Sequence, residues 1–267
     1  MPPTKGNDPQ YLQKQYQDSS NLDARVRLHQ RFSVNKYGWH RWVFDQFNLP
    51  AHSRILELGC GPGYLWLVNR DRIPAGWEIS LSDFSAGMLE GTRRNLKRQR
   101  QFQYRVINAQ SIPFEAAHFD AVIANHMLYH VPDRPAALAE IRRVLKPTGN
   151  FYASTIGDRH SIEIASLIGK FDPGLAFWGQ VTDSFTLENG MAQLADWFNE
   201  IKLYRYHDAL EVTEAAPLVD YILSGWTGQI LEKRLDQFKD FVTREMDARG
   251  GVFHVTKDSG LFVASSS

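Results

Sequence analysis

The stretch Ile55-Leu56-Glu57-Leu58-Gly59-Cys60-Gly61-Pro62-Gly63 constrains this chain more than any other. A short apolar strand runs into three glycines at alternate positions, with an acid two residues before the first. Glycine lacks Cβ, so it tolerates positive φ and lets a ligand approach the main chain closely. A strand that ends in such a loop and continues as a helix suits a nucleoside-type ligand. Asp83 stands 20 residues after Gly63, at the end of the next strand-like segment. A carboxylate there accepts hydrogen bonds from ribose hydroxyls. A dinucleotide loop would read G-x-G-x-x-G; here the third glycine comes one residue early.

Around this loop the pattern alternates. Strands are predicted over residues 54–58, 77–81, 102–107, 119–124 and 150–155, and helices over 64–70, 86–98 and 136–145. Ser85 is placed to cap the second of these helices, Pro135 lies at the start of the third, and Lys146-Pro147-Thr148-Gly149 reads as a turn. Residues 119–124 are nearly all apolar, as a strand buried on both faces should be. Such alternation predicts an α/β fold with a doubly wound, mostly parallel sheet. The order changes after Ile156, with helices predicted over 161–169, 187–199, 215–223 and 230–247, a strand over 201–210, and a terminal hairpin turning at Lys257-Asp258-Ser259-Gly260. This half is rich in aromatic residues and reads as a helical lid. On the amino-terminal side, residues 1–20 are polar and read as a loose arm that orders over a ligand. Helices follow over 21–32 and 38–47, the second containing Trp39-His40-Arg41-Trp42, a cluster that packs on the core or lines a pocket. The organisation is thus one compact domain in three parts: an arm with helices over the ligand (1–50), a nucleoside-binding core (51–156), and lid helices with the last strands (157–267).

Composition excludes several function classes. Lysine plus arginine is 30 and aspartate plus glutamate is 30, so no net charge favours nucleic acid or an anionic membrane. The basic run from Arg93 to Arg100 reads as the end of a surface helix, where cations suit the helix dipole. The single cysteine, Cys60, rules out an internal disulfide framework and a multi-cysteine zinc site. The amino terminus has no signal-peptide pattern, and no run approaches the roughly 18–20 apolar residues of a membrane span. A cytoplasmic protein is expected; a homodimer is compatible with the sequence.

Five segments in order then carry a family resemblance. Glu57-Leu58-Gly59-Cys60-Gly61-Pro62-Gly63 resembles motif I of the class I S-adenosylmethionine-dependent methyltransferases. Asp83-Phe84-Ser85-Ala86-Gly87-Met88-Leu89 is similar to their D-x-S-x-x-M-L segment, and Asn108-Ala109-Gln110-Ser111-Ile112-Pro113-Phe114 to D-A-x-x-L-P-F. Phe119-Asp120-Ala121-Val122 and Arg142-Arg143-Val144-Leu145-Lys146-Pro147-Thr148-Gly149 resemble the F-D-x-V strand and the R-V-L-K-P-G-G turn. The likeness covers about residues 54–155 and is strongest to the small-molecule branch that includes quinone-type C-methyltransferases.

The resemblance implies a Rossmann-like methyltransferase fold, S-adenosylmethionine as methyl donor, S-adenosylhomocysteine as product, and a small-molecule acceptor. It implies that Gly59, Cys60, Gly61 and Gly63 form the cofactor loop and that Glu57 orients the loop and the methionyl amino group. Asp83 would bind the ribose, Phe84 and Met88 would lie against adenine, with Ala109 and Gln110 beside it, and Asn125 would approach the methionyl group. Asn108 stands where the family commonly has an aspartate; its amide oxygen still accepts one hydrogen bond. His130 is the candidate catalytic base, or a structural histidine bonding a carbonyl of the Val131-Pro132-Asp133 turn. Tyr129 lines the acceptor site or packs. Tyr204, Tyr206, His207, Trp178 and Trp226 are further acceptor-side candidates. N-P-P-Y-like residues of amino-directed nucleic-acid methyltransferases are missing after residue 124. An RNA or protein methyltransferase, and a non-catalytic S-adenosylmethionine-binding protein, remain as alternatives.

Overall fold

The computed structural model describes residues 16–17, 20–97, 100–175, 185–225 and 231–266. Apolar segments pair as β1 (Arg54–Leu58), β2 (Glu78–Asp83), β3 (Phe102–Val106), β4 (Phe119–Asn125), β5 (Leu145–Ile156), β6 (Glu200–Val212) and β7 (Phe253–Ser265). They form one seven-stranded sheet in the order β3-β2-β1-β4-β5-β7-β6. The first five strands are parallel, and β7 runs antiparallel to both β5 and β6. β1 and β4 occupy the centre, which is why Ile55, Leu56, Val122 and Ile123 are wholly buried and carry no polar alternation. The chain order reverses between β1 and β4, and open α/β sheets bind ligands at the carboxyl ends of the strands at such a point.

Helices α1 (Ser20–Phe32), α2 (Trp39–Asp45), α3 (Tyr64–Val68), α4 (Ala86–Leu96) and α5 (Arg134–Val144) precede or alternate with the strands. The Ser85 hydroxyl caps α4 by accepting from the Met88 N–H at 3.3 Å, and Asp133 caps α5 by accepting from the Ala136 N–H at 3.0 Å. Then follow α6 (Ile162–Phe171), α7 (Gly190–Leu194), α8 (Ala215–Leu223) and α9 (Leu235–Asp247). One apolar layer sets Leu138 and Ile141 of α5 against the sheet, and the opposite one sets Val43, Trp66 and Leu89 of α2, α3 and α4 against it. A third core lies beyond the carboxyl end of β5. There β6 and β7 outrun β5, which stops pairing at Ile156↔Ser259 while β6 and β7 pair on to Val212↔Phe253. Leu210, Val212, Phe253 and Val255 of this extension pack with Leu28, Ile164, Val219 and Phe238 from α1, α6, α8 and α9. α1 therefore belongs to the cap core and joins the two ends of the sequence.

Several expectations are corrected. The terminal hairpin is one strand: residues 257–260 stay extended because β6 pairs along their whole length and β5 reaches Ser259 and Gly260. Gly260 serves close approach here, since a Cβ would lie 2.7 Å from the Tyr204 carbonyl oxygen. Residues 146–149 do not leave the sheet; they bulge inside β5, with pairing moving from Phe119↔Leu145 to Ala121↔Asn150. The helix expected over 187–199 shrinks to α7, and that over 230–247 is interrupted by a 3-10 turn, Glu232–Arg234, between the helical Leu231 and α9. The helix after the glycine loop ends at Val68 rather than residue 70. Most of the expected arm, Trp178, Trp226, and Arg98 and Gln99 of the basic run lie outside the described residues.

Candidate functional site

The glycine loop holds its shape through left-handed backbone at Gly59 (φ 67°), Gly61 (φ 52°) and Gly63 (φ 76°), where a Cβ is disfavoured. Close packing adds to this. A Cβ on Gly59 would lie 2.9 Å from Met127 Cβ, and one on Gly63 2.7 Å from Thr92 Cγ2. The Gly61 N–H donates to Asp83 Oδ2 at 3.0 Å and the Ser85 N–H to Oδ1 at 2.9 Å. Asp83 thus ties the loop to the end of β2, while each oxygen keeps lone-pair capacity for a ligand hydroxyl. Its pKa is raised by burial against these opposing N–H bonds.

Glu57 is 1% exposed and its Oε2 accepts from Trp66 Nε1 at 2.6 Å. Burial pushes its carboxyl up to about 8, with Asp83 adding to the rise and the Trp66 N–H opposing it. Cys60 is buried, and its thiol is pushed well up by burial; it fills the loop and offers the ligand main chain only. Phe84 is 46% exposed beside Asp83, whereas Met88 is buried beneath it on α4. Asn108 Oδ1 accepts from the Gln110 N–H at 3.0 Å, and Gln110 Oε1 accepts from the Asp133 N–H at 3.1 Å. These bonds hold the loop after β3 against α5. Ala109 is buried within it. Asn125 Oδ1 accepts from the Ser154 hydroxyl.

The arm and α1 close over this floor. Tyr64 donates its hydroxyl to Asp23, and Leu22 lies 3.3 Å from the Cβ position of Gly61. The Ser85 hydroxyl donates to the Tyr16 carbonyl at 2.8 Å. The Gln17 carbonyl oxygen passes 2.1 Å from the Cβ position of Gly87, so the crossing requires glycine there. The Tyr16 ring meets Phe84 at 6.5 Å and His130 at 5.3 Å, and its hydroxyl lies 2.8 Å from His130 Nε2. This Nε2 contact reaches the arm. From His130 the rings continue through Tyr129 (4.5 Å) and His126 (6.5 Å) to Trp39 (4.9 Å), which packs on Tyr206.

His126 was missed by sequence reasoning. It holds φ 51°, with its N–H donating to the Ser154 carbonyl at 3.2 Å and hydroxyl at 3.0 Å. Non-glycine residues in this region persist where surroundings over-determine them, and such positions cluster at functional sites. Burial pushes its imidazole down to about 3, so it is neutral at neutral pH. Tyr206 is buried among Trp39 and Trp42, while Tyr204 is 40% exposed and His207 points to the other face of β6, away from this group.

The floor fits the nucleoside cofactor implied by the sequence: bare main chain at positive φ, a carboxylate fixed at the end of β2, and an exposed aromatic ring beside it. Comparison with known proteins agrees. Residues 56–153 match the methyltransferase domain family. Demethylmenaquinone methyltransferase of Symbiobacterium thermophilum is 30% identical over 156 residues, covering 57% of this chain and 61% of the relative. The chain thus spans somewhat less than two thirds of that protein. Among solved structures, phosphoethanolamine N-methyltransferase 2 of Haemonchus contortus in complex with S-adenosyl-L-methionine superposes with a TM-score of 0.59 at 16% identity, covering 96% of this chain and 59% of that one. The [4+2]-cyclase SpnF superposes with a TM-score of 0.60 at 15% identity, covering 96% of both chains. These two are likenesses of fold.

Proposed function

We infer, from a chain whose residues 56–153 match the methyltransferase domain family and resemble class I S-adenosylmethionine-dependent enzymes, that the protein transfers a methyl group to a small, flat acceptor bound under the cap. The observation that carries this reading is the unbroken series of ring contacts from Phe84, beside the ribose-binding Asp83, to Trp39 on α2 and Tyr206 on β6. Cofactor floor and aromatic series meet at the contact between Phe84 and Tyr16.

S-adenosylmethionine, when bound, supplies a methyl group already activated on a sulfonium. The residues of the chain then have two tasks. Gly59, Gly61, Gly63 and Asp83 hold the nucleoside end, with Phe84 and Met88 at the adenine, Asn108, Ala109 and Gln110 flanking it, and Glu57 and Asn125 toward the methionyl end. Trp39, His126, Tyr129 and Tyr206 orient the acceptor and exclude water. Such positioning contributes about 7–11 kcal/mol to lowering a barrier of this kind. In this reading His130 takes the proton from the acceptor, supported by the Tyr16 hydroxyl 2.8 Å from its Nε2, which fixes the ring. A positioned base adds about 10²–10⁴-fold where the acceptor must lose a proton.

The test is turnover. Purified protein is incubated with methyl-labelled S-adenosylmethionine and a panel of naphthols, quinols and aromatic acids, and calorimetry compares S-adenosylhomocysteine with NAD. Transfer of label with S-adenosylhomocysteine binding is expected. NAD binding without S-adenosylhomocysteine binding would sink the cofactor assignment. Cofactor binding without transfer to any panel member would favour the reading, suggested by the fold shared with a cyclase, in which the cofactor site serves another reaction.

A further inference from the structure

The β6–β7 extension carries a polar pair in an apolar row. On one face stand Tyr206, Asp208, Leu210 and Val212 of β6 opposite Ser259, Lys257, Val255 and Phe253 of β7. Asp208 and Lys257 are directly opposed, with side chains 1% and 8% exposed. The pair is lopsided. Asp208 Oδ1 accepts from the Asn35 and Ala209 N–H groups, each at 2.9 Å, and Oδ2 accepts from the Ser33 hydroxyl. The Lys257 ammonium reaches Asp208 Oδ2 only at 3.5 Å and has no other side-chain partner among the described residues. Charge-assisted N–H···O bonds are ordinarily about 2.7–2.9 Å. The carboxylate is satisfied by its own surroundings, and the ammonium is not.

The neighbours share this shortage. His29 Nδ1 and Trp39 Nε1 are both closed off from solvent with no hydrogen-bond partner among the described residues. Buried polar groups are nearly always paired, so two orphans near one under-coordinated ammonium point to a missing ligand. Lys257 acts on His29, His40, His126 and His160, all held down chiefly by burial. Other charges adjoin the pair. Glu163 accepts from the Thr256 N–H at 2.9 Å, Asp258 pairs with Arg205 at 2.7 Å, and Arg25 donates to Ser224. Each of these carboxylates is engaged elsewhere. Nor do the described residues contain a His, Cys, Asp and Glu group able to hold a metal. The Lys257 ammonium and Trp39 Nε1 can only donate, and His29 Nδ1 donates in the tautomer that carries its proton there, so the unmet demand is for hydrogen-bond acceptors carrying negative charge. Aromatic rings adjoin these groups, with Trp39 4.9 Å from His126 and 5.4 Å from Tyr206, and His29 5.8 Å from Tyr221.

We propose that the acceptor is an aromatic molecule bearing an anionic oxygen group, and that Lys257, with His29 Nδ1 and Trp39 Nε1, forms the anchor for that group. This assignment rests on the methyl-transfer reading and names its acceptor class. The ring plane lies against Trp39, His126 and Tyr206, and the anchored oxygen sets which edge of the ring meets the methyl donor.

Four probes test it by calorimetry on the protein loaded with S-adenosylhomocysteine: 2-naphthoate, 1-naphthyl phosphate, 2-naphthamide and 2-naphthylmethylamine. At least one anion is expected to bind about tenfold or more tighter than the amide, with the amine weakest. Whichever of carboxylate and phosphate binds tighter identifies the group. Lys257→Met should bring the anion and the amide to within about twofold of each other while leaving S-adenosylhomocysteine affinity unchanged. Should that variant fail to fold, His29→Phe, which strands no partner, should lose anion affinity several-fold at an unchanged melting temperature. Equal binding of amide and anion, preference for the amine, an anion preference that survives substitution, or no binding of any probe to the loaded protein would overturn the anchor alone. Failure to bind S-adenosylhomocysteine would overturn the methyltransferase reading and the anchor with it.

Discussion

Replacing Glu57 by glutamine should change how stability depends on pH in a way that isolates one buried carboxyl. Glu57 lies 1% exposed at the end of β1, and burial raises its pKa from 4.5 to about 8 in the folded chain. The folded state therefore holds the proton over a range in which the unfolded state releases it. Its contribution is fully present below pH 4.5 and is lost progressively as pH rises through about 8. At about 1.4 kcal/mol per pH unit, that window amounts to on the order of 5 kcal/mol. Glutamine keeps an oxygen to accept the 2.6 Å bond from Trp66 Nε1 and removes the titration. Urea unfolding followed by tryptophan fluorescence at pH 5, 6, 7 and 8 should show the variant gaining on the wild type at up to about 1.4 kcal/mol per unit. The gain should level off above pH 8. The buried histidines act in the opposite direction. With pKa values of about 4 for His40 and His160 and about 3 for His126, the stability they contribute is present above 6.5 and lost as pH falls through those values. They are common to both proteins and cancel in the difference. A stability difference constant to within about 0.5 kcal/mol from pH 5 to 8 would refute the reasoning, because it would mean that Glu57 titrates alike folded and unfolded.

Three further outcomes are expected. Asp83→Ala should weaken S-adenosylhomocysteine binding by about 1.5–3 kcal/mol, the range for hydrogen bonds to a charged group; unchanged affinity by calorimetry would contradict the ribose assignment. Gly63→Ala should cost about 1–3 kcal/mol of folding stability, because φ is 76° and Thr92, its hydroxyl bonded to the Gly61 and Met88 carbonyls, cannot yield the 2.7 Å approach; a loss under about 0.5 kcal/mol in denaturant unfolding would contradict this. Tyr16→Phe keeps the ring against Phe84 but removes the hydroxyl from His130, and should lower kcat about tenfold with cofactor affinity unchanged; an unaltered kcat would remove the pair from the mechanism.

The parallel half of the sheet was legible because its signals are local. A strand buried on both faces must be apolar throughout, as residues 119–124 are, and a loop at positive φ must be glycine, as at 59, 61 and 63. Ser85 and Asp83 could be placed for the same reason. The antiparallel half was harder to read. Lys257-Asp258-Ser259-Gly260 has turn chemistry, and only pairing with β6 and β5 keeps it extended. Residues 187–199 carry helical spacing, yet only Gly190–Leu194 forms a helix. The buried Asp208–Lys257 pair has a local signal: Asp208 and Lys257 each interrupt an alternating row, with Tyr206, Leu210 and Val212 on one strand and Phe253, Val255 and Leu261 on the other. Read as a hairpin turn, the lysine could not be assigned to that face.

The sequence alone determined the nucleotide-type floor, because glycine spacing, the acid at 83 and the alternation of strands and helices follow from backbone sterics and burial within a few residues. Tertiary structure alone decided what faces that floor. Tyr16 reaches His130, α1 joins the cap core, and Lys257 comes among four histidines drawn from separate parts of the chain. Those contacts join residues more than two hundred positions apart, and no local propensity encodes a meeting that depends on how two long strands outrun the sheet beneath them.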